Sequence, residues 1–560
     1  MESTKNLKLG VIFSYITMVA GIIVSLTYTP FLLDSLGQQQ YGLYNMGQSA
    51  VSFLGLAEFG FGSAVVRYAS KYRAEGNENK TAGLYGMFMR LYAFLAMIIL
   101  VVGAVICILS SYIFKVETGA RGYFELRMII LIMVVNLALT FATQPYHAIV
   151  QSYERFTFIK IADFIYTVLK PLVMIPLLIW GYKAIALSLV ALVLQQMLNL
   201  IHVLYVHGKL HVKISFKKKD MDFSIFKEIL GYSFFIFLGM IVGQLNDGTD
   251  NIILGIVSGE IAVAICSVGY QLYGYIQQIP GIVSSVFFPR VTSQITNGAT
   301  MEDMTNLSIR VGRIQFFLAF LLCSGFALFG QEFIYLWVGE EYAIAYWIAL
   351  ALALPAVIPN IQAIPVQVLQ AVNKHQFKSI LYVICAVLNV ATSIPAAIYF
   401  GPLGCAICTG LTTLVTKGII INWYYKKKIG LGIGRFWANI SILLLKLAPL
   451  VAVGIGINFL LPNVSWLWLF LKIGIYSVLF AVYAFCLGMN KEERGLVTGF
   501  MGGFLNKVRR KNVSPVLETN SDGEKAEDTS IFAEDTAGDN TKAECVETIV
   551  DEKENIEGLE

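Results

Sequence analysis

The chain has 560 residues, of which 57% are hydrophobic and only 14% charged, against about 25% charged in an ordinary soluble domain. Its net charge of +4 hides two regions: residues 1–511 hold 38 basic against 22 acidic side chains, and residues 512–560 hold 3 against 15. This balance excludes a soluble globular enzyme, and it marks the aromatic-poor stretch from 512 as an acidic disordered tail.

A membrane-crossing helix needs about 20 mostly apolar residues. In chain order the segments that meet this are 9–33, 43–66, 84–109, 128–150, 156–180, 184–206, 229–257, 261–288, 311–330, 344–370, 378–400, 403–425, 437–461 and 466–488. The first outruns the 7–15-residue core of a secretory leader and is read as a span. The second carries Glu58, Phe59 and Gly60 and closes with Arg67. The third opens on Arg90. The fifth holds Asp163 and Lys170, seven apart and so on one helical face, with Pro171 and Pro176 placed to bend it. The basic stretch 207–228, with Lys217, Lys218 and Lys219, follows the sixth. The seventh holds Asp247 and Asp250 near its end, flanked by Asn246 and Asn251, and the ninth opens on Arg313. Pro355, Pro359 and Pro365 break the tenth. Cys405 and Cys408 form a CxxC with no second ligand pair, which reads as small packing residues rather than a metal site. Lys446 and Lys472 sit in the last two apolar runs.

The segments repeat. GVIFSYITMVAG from Gly10 lies over GYSFFIFLGMIVG from Gly231. MRLYAFLAMIIL lies over GRIQFFLAFLLC, which pairs Arg90 with Arg313 at an offset of 223, and the same offset pairs Arg67 with Arg290. Pro145 leads into QSYERF as Pro365 leads into QAVNKHQF. The expected organisation is therefore an all-α integral membrane protein of about 14 transmembrane helices. It has an N-terminal six-helix half at 1–206, a basic linker at 207–228, a second half at 229–425, two appended helices at 426–488 and a tail from 489. Parallel repeats of this kind suit alternating access about a central cavity. With alternating sides, 29 basic residues fall on the side of both termini and 4 (Lys115, Arg121, Arg127, Lys183) on the other. This places both termini in the cytoplasm and requires an even number of spans, with twelve the competing count.

The stretch TPFLLDSLGQQQYGLYNMGQSAVSFLGLAEFGFGSAVVRYASKY, with its LGxxxYGLY turn, its acidic-Phe-Gly motif and its closing Arg67, resembles the start of polysaccharide-export flippases of the Wzx type. These share a superfamily with MATE drug exporters and lipid II flippases. DNIILGIVSG and the Gly269–Tyr270 pair extend the resemblance over roughly residues 5–490. It implies a translocator of undecaprenyl-diphosphate-linked oligosaccharides in the bacterial plasma membrane, feeding capsule, O-antigen or teichoic-type polymers. Its implied partners are that lipid-linked substrate, membrane lipids and other polysaccharide-assembly proteins, and no nucleic acid. A MATE-like cation-coupled drug antiporter is the alternative.

No GxxxxGK[ST] motif, HExxH motif or catalytic constellation is present, so no enzyme activity and no cofactor is expected. An anionic headgroup crossing a hydrocarbon layer of about 30 Å needs a hydrated cationic path. Arg90, Arg313, Lys170 and Asp163 are the substrate-binding candidates. The arginines either flank a diphosphate or snorkel to the headgroups. Glu58, Asp247 and Asp250 are the cavity carboxylates. They bind a coupling Na⁺ or H⁺, contact sugar hydroxyls, or are merely solvated.

Overall fold

The computed structural model describes residues 2–499 apart from 218–223, 373–375, 463–464 and 496–497. The acidic tail from 512, together with Lys218 and Lys219, lies outside the described residues. Apolar runs with no water to satisfy their backbone must close every hydrogen bond internally, and the described chain is accordingly helix and turn. The helices are α1 (Glu2–Ser52), α2 (Phe61–Ala74), α3 (Glu78–Ile113), α4 (Gly119–Ser152), α5 (Phe156–Ile179) and α6 (Ala184–Gly208). They continue as α7 (Ser224–Asp247), α8 (Thr249–Val257), α9 (Glu260–Thr296), α10 (Met301–Val338), α11 (Ile344–Ile361) and α12 (Ala363–Ala371). Then come α13 (Gln376–Thr413), α14 (Ile421–Tyr424), α15 (Ile433–Leu460) and α16 (Trp466–Tyr483). π-Helical turns Leu414–Ile420 and Tyr425–Ile429 flank α14.

Among the described residues, 11 helical stretches are long and apolar enough to cross a membrane. The difference from the expected 14 comes from three places. Two stretches, Phe13–Ala74 and Phe377–Ile429, run through bends at Gly37 (φ 73) and Gly401 (φ 59). The third is α9, whose Gln271, Gln277 and Gln278 lower its mean hydropathy.

Local chemistry sets many boundaries. Gly37 belongs to the LGxxxYGLY turn, and its positive φ is one that only glycine adopts without strain. Asn77 caps α3 by accepting from the Lys80 N–H at 3.1 Å. Thr300 and Asp303 form a reciprocal capping box at the start of α10, satisfying orphan donors there. α11 stops at Gln362 after Pro355 and Pro359, where the missing proline N–H groups already weaken the ladder. The expected break in the tenth span is thus a real one.

In packing, α3 lies on α4, α4 on α6, and α1 on α5 and α9. α11 lies between α9 and α13, and α10 carries both α15 and α16. Phe94, Met97, Val101 and Ile108 of α3, and Leu445, Phe459 and Leu467 of the last two helices, are exposed, as lipid-facing side chains are. Leu43, Phe61, Tyr85, Phe88, Leu126 and Ile129 close a core among α1–α4. Phe316, Phe329, Phe436, Leu443 and Tyr476 close another between α10 and α15–α16.

Two buried ion pairs tie the C-terminal helices to α10. Lys472 is fully buried, and its Nζ donates to Glu332 Oε2 at 2.7 Å and to Asn458 Oδ1 at 3.2 Å. Arg313 donates to both carboxylate oxygens of Glu493, at 2.6 and 3.0 Å, and to the Gly488 carbonyl at 3.0 Å. Cys405 and Cys408 turn their thiols to the Ser393 and Thr392 carbonyls, which is packing within the helix pair. The side chain of Arg290 lies outside the described residues.

Candidate functional site

The acidic-Phe-Gly motif is a helix break. The 3-10 turn Phe53–Glu58 ends at Phe59 (φ 55) and Gly60 (φ 75), both left-handed, before α2 begins. A non-glycine residue there carries strain of roughly 1–2 kcal/mol, and Phe59 is held by a stack on Phe237 of α7 with ring centroids 3.7 Å apart. Glu58 Oε1 accepts from the Gly62 N–H at 3.3 Å and from the Tyr92 hydroxyl at 3.4 Å. A carboxylate at the N-terminal end of α2 complements the helix dipole, so the geometry gives Glu58 a capping role.

A single turn residue, Gly248, separates α7, which ends on Asp247, from α8, which starts at Thr249; the side chain of Asp247 lies outside the described residues. Asp250 is 1% exposed. Its Oδ2 accepts from the Tyr270 hydroxyl at 2.5 Å and from Thr409 Oγ1 at 2.9 Å. Thr409 also bonds Asn389 Oδ1 at 3.2 Å, and Ser393 Oγ reaches the same oxygen at 3.3 Å. Three chain segments, α8, α9 and α13, therefore converge on one buried cluster that, among the described residues, holds a single carboxylate and several neutral oxygens. Sequence reasoning found Asp250 but missed Asn389, Ser393 and Thr409, because uncharged polar residues in an apolar run look like ordinary helix-packing residues.

The basic candidates are dispersed rather than convergent. Arg90 donates to the Phe216 carbonyl at 2.5 Å and lies over the Phe216 ring. It pins the linker, whose Ser215 N–H also donates to the Ala82 carbonyl at 3.0 Å. Arg313, its counterpart by offset, is neutralised by Glu493 as described above. The two arginines thus meet different partners in this structure, and the Arg313 charge is compensated within the protein. Arg67 lies over the Tyr232 ring of α7 at 4.7 Å. Asp163 pairs with Lys160, one turn back, at 3.1 Å. Lys170, two turns on, is half-buried. Lys472 faces α10, where its charge is matched by Glu332.

α1 and the connection between α3 and α4 clasp later helices at one end of the bundle. Glu260, fully buried at the start of α9, accepts from the Glu117 and Thr118 N–H groups at 2.9 and 3.3 Å. Trp337 Nε1 donates to the Leu26 carbonyl at 2.7 Å, and Gln38 Nε2 to the Glu341 carbonyl at 3.1 Å. Gln271 donates to Ser25 and Thr29, each at 2.8 Å. Gly42 of the YGLY turn lies against this clasp: a Cβ there would stand 2.0 Å from the Glu260 carbonyl oxygen. Further along the bundle, α2 and the 3-10 turn before it contact α7, with Gln244 donating to Ser52 Oγ at 2.6 Å. Among the described residues no group of three His, Cys, Asp or Glu side chains is arranged to hold a metal ion.

The family described as polysaccharide biosynthesis protein matches residues 8–295. The uncharacterized membrane protein EpsK of Bacillus subtilis is 23% identical over 498 residues, covering 85% of this chain and 94% of EpsK. The probable low-salt glycan biosynthesis flippase Agl15 of Haloferax volcanii is 25% identical over 205 residues, covering 36% of this chain and 43% of its own. Among solved structures, the lipid II flippase MurJ in an inward closed conformation superposes with a TM-score of 0.67 at 16% identity, covering 84% of this chain and 98% of MurJ. An inward-facing MATE family multidrug transporter of the MOP superfamily gives 0.56 at 14% identity, over 74% and 99%.

Proposed function

The chain belongs to the polysaccharide biosynthesis protein family, and from that premise we propose that it flips a lipid-linked oligosaccharide across the bacterial plasma membrane by alternating access. It is a multi-pass membrane protein. The positive-inside bias supports cytoplasmic termini, which puts the Glu260 clasp at the outer face.

The observation that carries this reading over a drug exporter is the integration of α15 and α16. α16 is fixed to α10 by the Lys472–Glu332 pair, the segment after it by the Arg313–Glu493 pair, and both helices share a core with α10. The fold of MurJ covers more of the chain than that of the MATE transporter. Extra helices welded to the bundle provide lipid-side surface for a polyprenyl chain that a soluble drug does not need.

In this reading, the outer clasp and the α2–α7 contact are the two closures that must open alternately. The Asp250 cluster holds the coupling ion. One carboxylate with hydroxyl and carboxamide oxygens suits a hard monovalent cation such as Na⁺, or the carboxyl takes a proton instead. Binding there ties α8 to α9 and α13, and a change of occupancy alters how these three segments pack.

The test is reconstitution in liposomes with undecaprenyl diphosphate bearing a short oligosaccharide. Protein-dependent appearance of the sugar in the outer leaflet is the expected result. Failure to flip, together with gradient-driven efflux of a cationic dye, would move the protein to the drug-exporter class.

A further inference from the structure

A chamber of about 360 Å³ with polar side chains in its wall lies between α4, α5 and α6, lined in part by Thr140, Gln144, Tyr166, Gln195, Asn199 and His202. We propose that this chamber is a subsite for a neutral, hydroxyl-rich sugar ring of the cargo. The proposal rests on the flippase reading and deepens it.

Side chains of this polarity are costly at membrane depth and face a water-filled or ligand-filled space. His202 is 4% exposed, and its Nε2 is buried with no hydrogen-bond partner among the described residues. A polar atom left in that state calls for a ligand group. The ring of His147 meets that of His202 edge to face, with centroids 5.2 Å apart, so the imidazole is held by packing in the chamber wall.

The carboxamides and hydroxyls around the chamber are preorganised. Gln196 Nε2 donates to Asn136 Oδ1 at 2.7 Å, Asn199 Nδ2 donates to Thr140 Oγ1 at 3.3 Å and to Gln196 Oε1 at 3.1 Å, and Gln195 Nε2 donates to Asn199 Oδ1 at 3.2 Å. Carboxamides, hydroxyls and a neutral imidazole each both donate and accept, which is what sugar hydroxyls require. Tyr166 adds an aromatic body of the kind that packs on the apolar side of a ring.

Charge decides against an ionic occupant. The one carboxylate in the wall, Asp163, is compensated by Lys160 at 3.1 Å, so the chamber presents no net fixed charge to select an anion or a metal cation. Size decides against a lone proton or water: the volume is several times the share of one water, about 30 Å³, and lies at the small end of ligand pockets.

The experiment measures binding of two probes to the purified full chain in nanodiscs: undecaprenyl diphosphate bearing a neutral trisaccharide, and undecaprenyl diphosphate alone. Wild type is expected to prefer the glycosylated lipid. His202→Leu reduces that preference roughly tenfold, the worth of one buried hydrogen bond, without changing affinity for the bare carrier. His202→Gln, whose amide reaches near the Nε2 position, keeps most of it. Thr140→Val, nearly isosteric, gives a smaller loss in the same direction, with thermal unfolding of the variant checking that the fold is kept.

An unchanged preference in both His202→Leu and Thr140→Val overturns the proposal. So does a variant that loses only the pH dependence of transport, which would make the histidines a proton site. A wild type with no preference for the sugar also overturns it. The liposome flipping assay then tells whether the flippase reading survives: flipping without sugar preference sinks the subsite alone, and absence of both sinks both.

Discussion

Replacing Lys472 with Met leaves the Glu332 carboxylate without its main counter-charge inside the α10–α15–α16 packing. The Lys472 side chain is fully buried and that of Glu332 is 11% exposed, so water cannot take over the missing interaction. Removing one partner of a buried ion pair costs about 3–5 kcal/mol, because the survivor stays desolvated, whereas replacing both by apolar groups of similar volume is close to neutral or stabilising. The Asn458 oxygen, 3.2 Å from Nζ, also loses its donor, adding to the single-variant cost.

The expected ranking in a thermal-unfolding series in detergent is therefore wild type high, Lys472→Met and Glu332→Leu each several degrees lower, and the double variant recovering most of the loss. The double-mutant cycle should return a coupling of roughly 3 kcal/mol. Two results would refute the reasoning: single variants as stable as wild type, or a double variant whose loss is the sum of the two singles. Either would mean the pair does not fasten α16 to α10.

The same reasoning applies to Arg313. Arg313→Ala and Glu493→Ala should destabilise to a similar extent, about 3–5 kcal/mol each, and charge reversal of both together should restore part of it. A loss of flipping in Arg313→Ala at unchanged thermal stability would instead restore Arg313 as a substrate ligand. Gly42→Ala drives a Cβ to 2.0 Å from the Glu260 carbonyl and must push α1 away from α9. The expected cost is roughly 1–3 kcal/mol, read as reduced folded yield, and a wild-type yield would contradict the close approach. Asp250→Asn keeps the size of the side chain and removes its charge. Transport should fall to the rate seen without an ion gradient, and a gradient response equal to wild type would dismiss the cluster as the coupling site.

Much of the fold was legible because its signal is additive. Some 20 apolar residues in a row report a helix in lipid whatever its neighbours do, and the helix stops were written in local chemistry: Gly37, the Thr300–Asp303 capping box, Pro355 and Pro359. The candidate site was legible only in part. A carboxylate in an apolar run advertises itself, so Asp250 was found. Asn389, Ser393 and Thr409 did not, since a hydroxyl or carboxamide in a span is as readily a helix-packing residue as a ligand. His202 was present in the sequence, but nothing near it in the chain announced that three helices would leave its Nε2 buried without a partner in the wall of a chamber.

The arginines show where sequence logic stops. An offset of 223 residues pairs Arg90 with Arg313, and their types and places in the helix are alike. Their roles differ because one meets a backbone carbonyl of the linker and the other a glutamate 180 residues further along the chain. Sequence by itself determined the membrane, the helical class, the orientation bias and the family resemblance, since each is a sum over local residues or a short motif. Only the tertiary structure decided which charges are already neutralised, that Tyr270 and Thr409 close on Asp250, and that Gly42 yields its side-chain space to Glu260. Each of these depends on what a distant segment brings within a few ångströms, and no spacing along the chain encodes that distance.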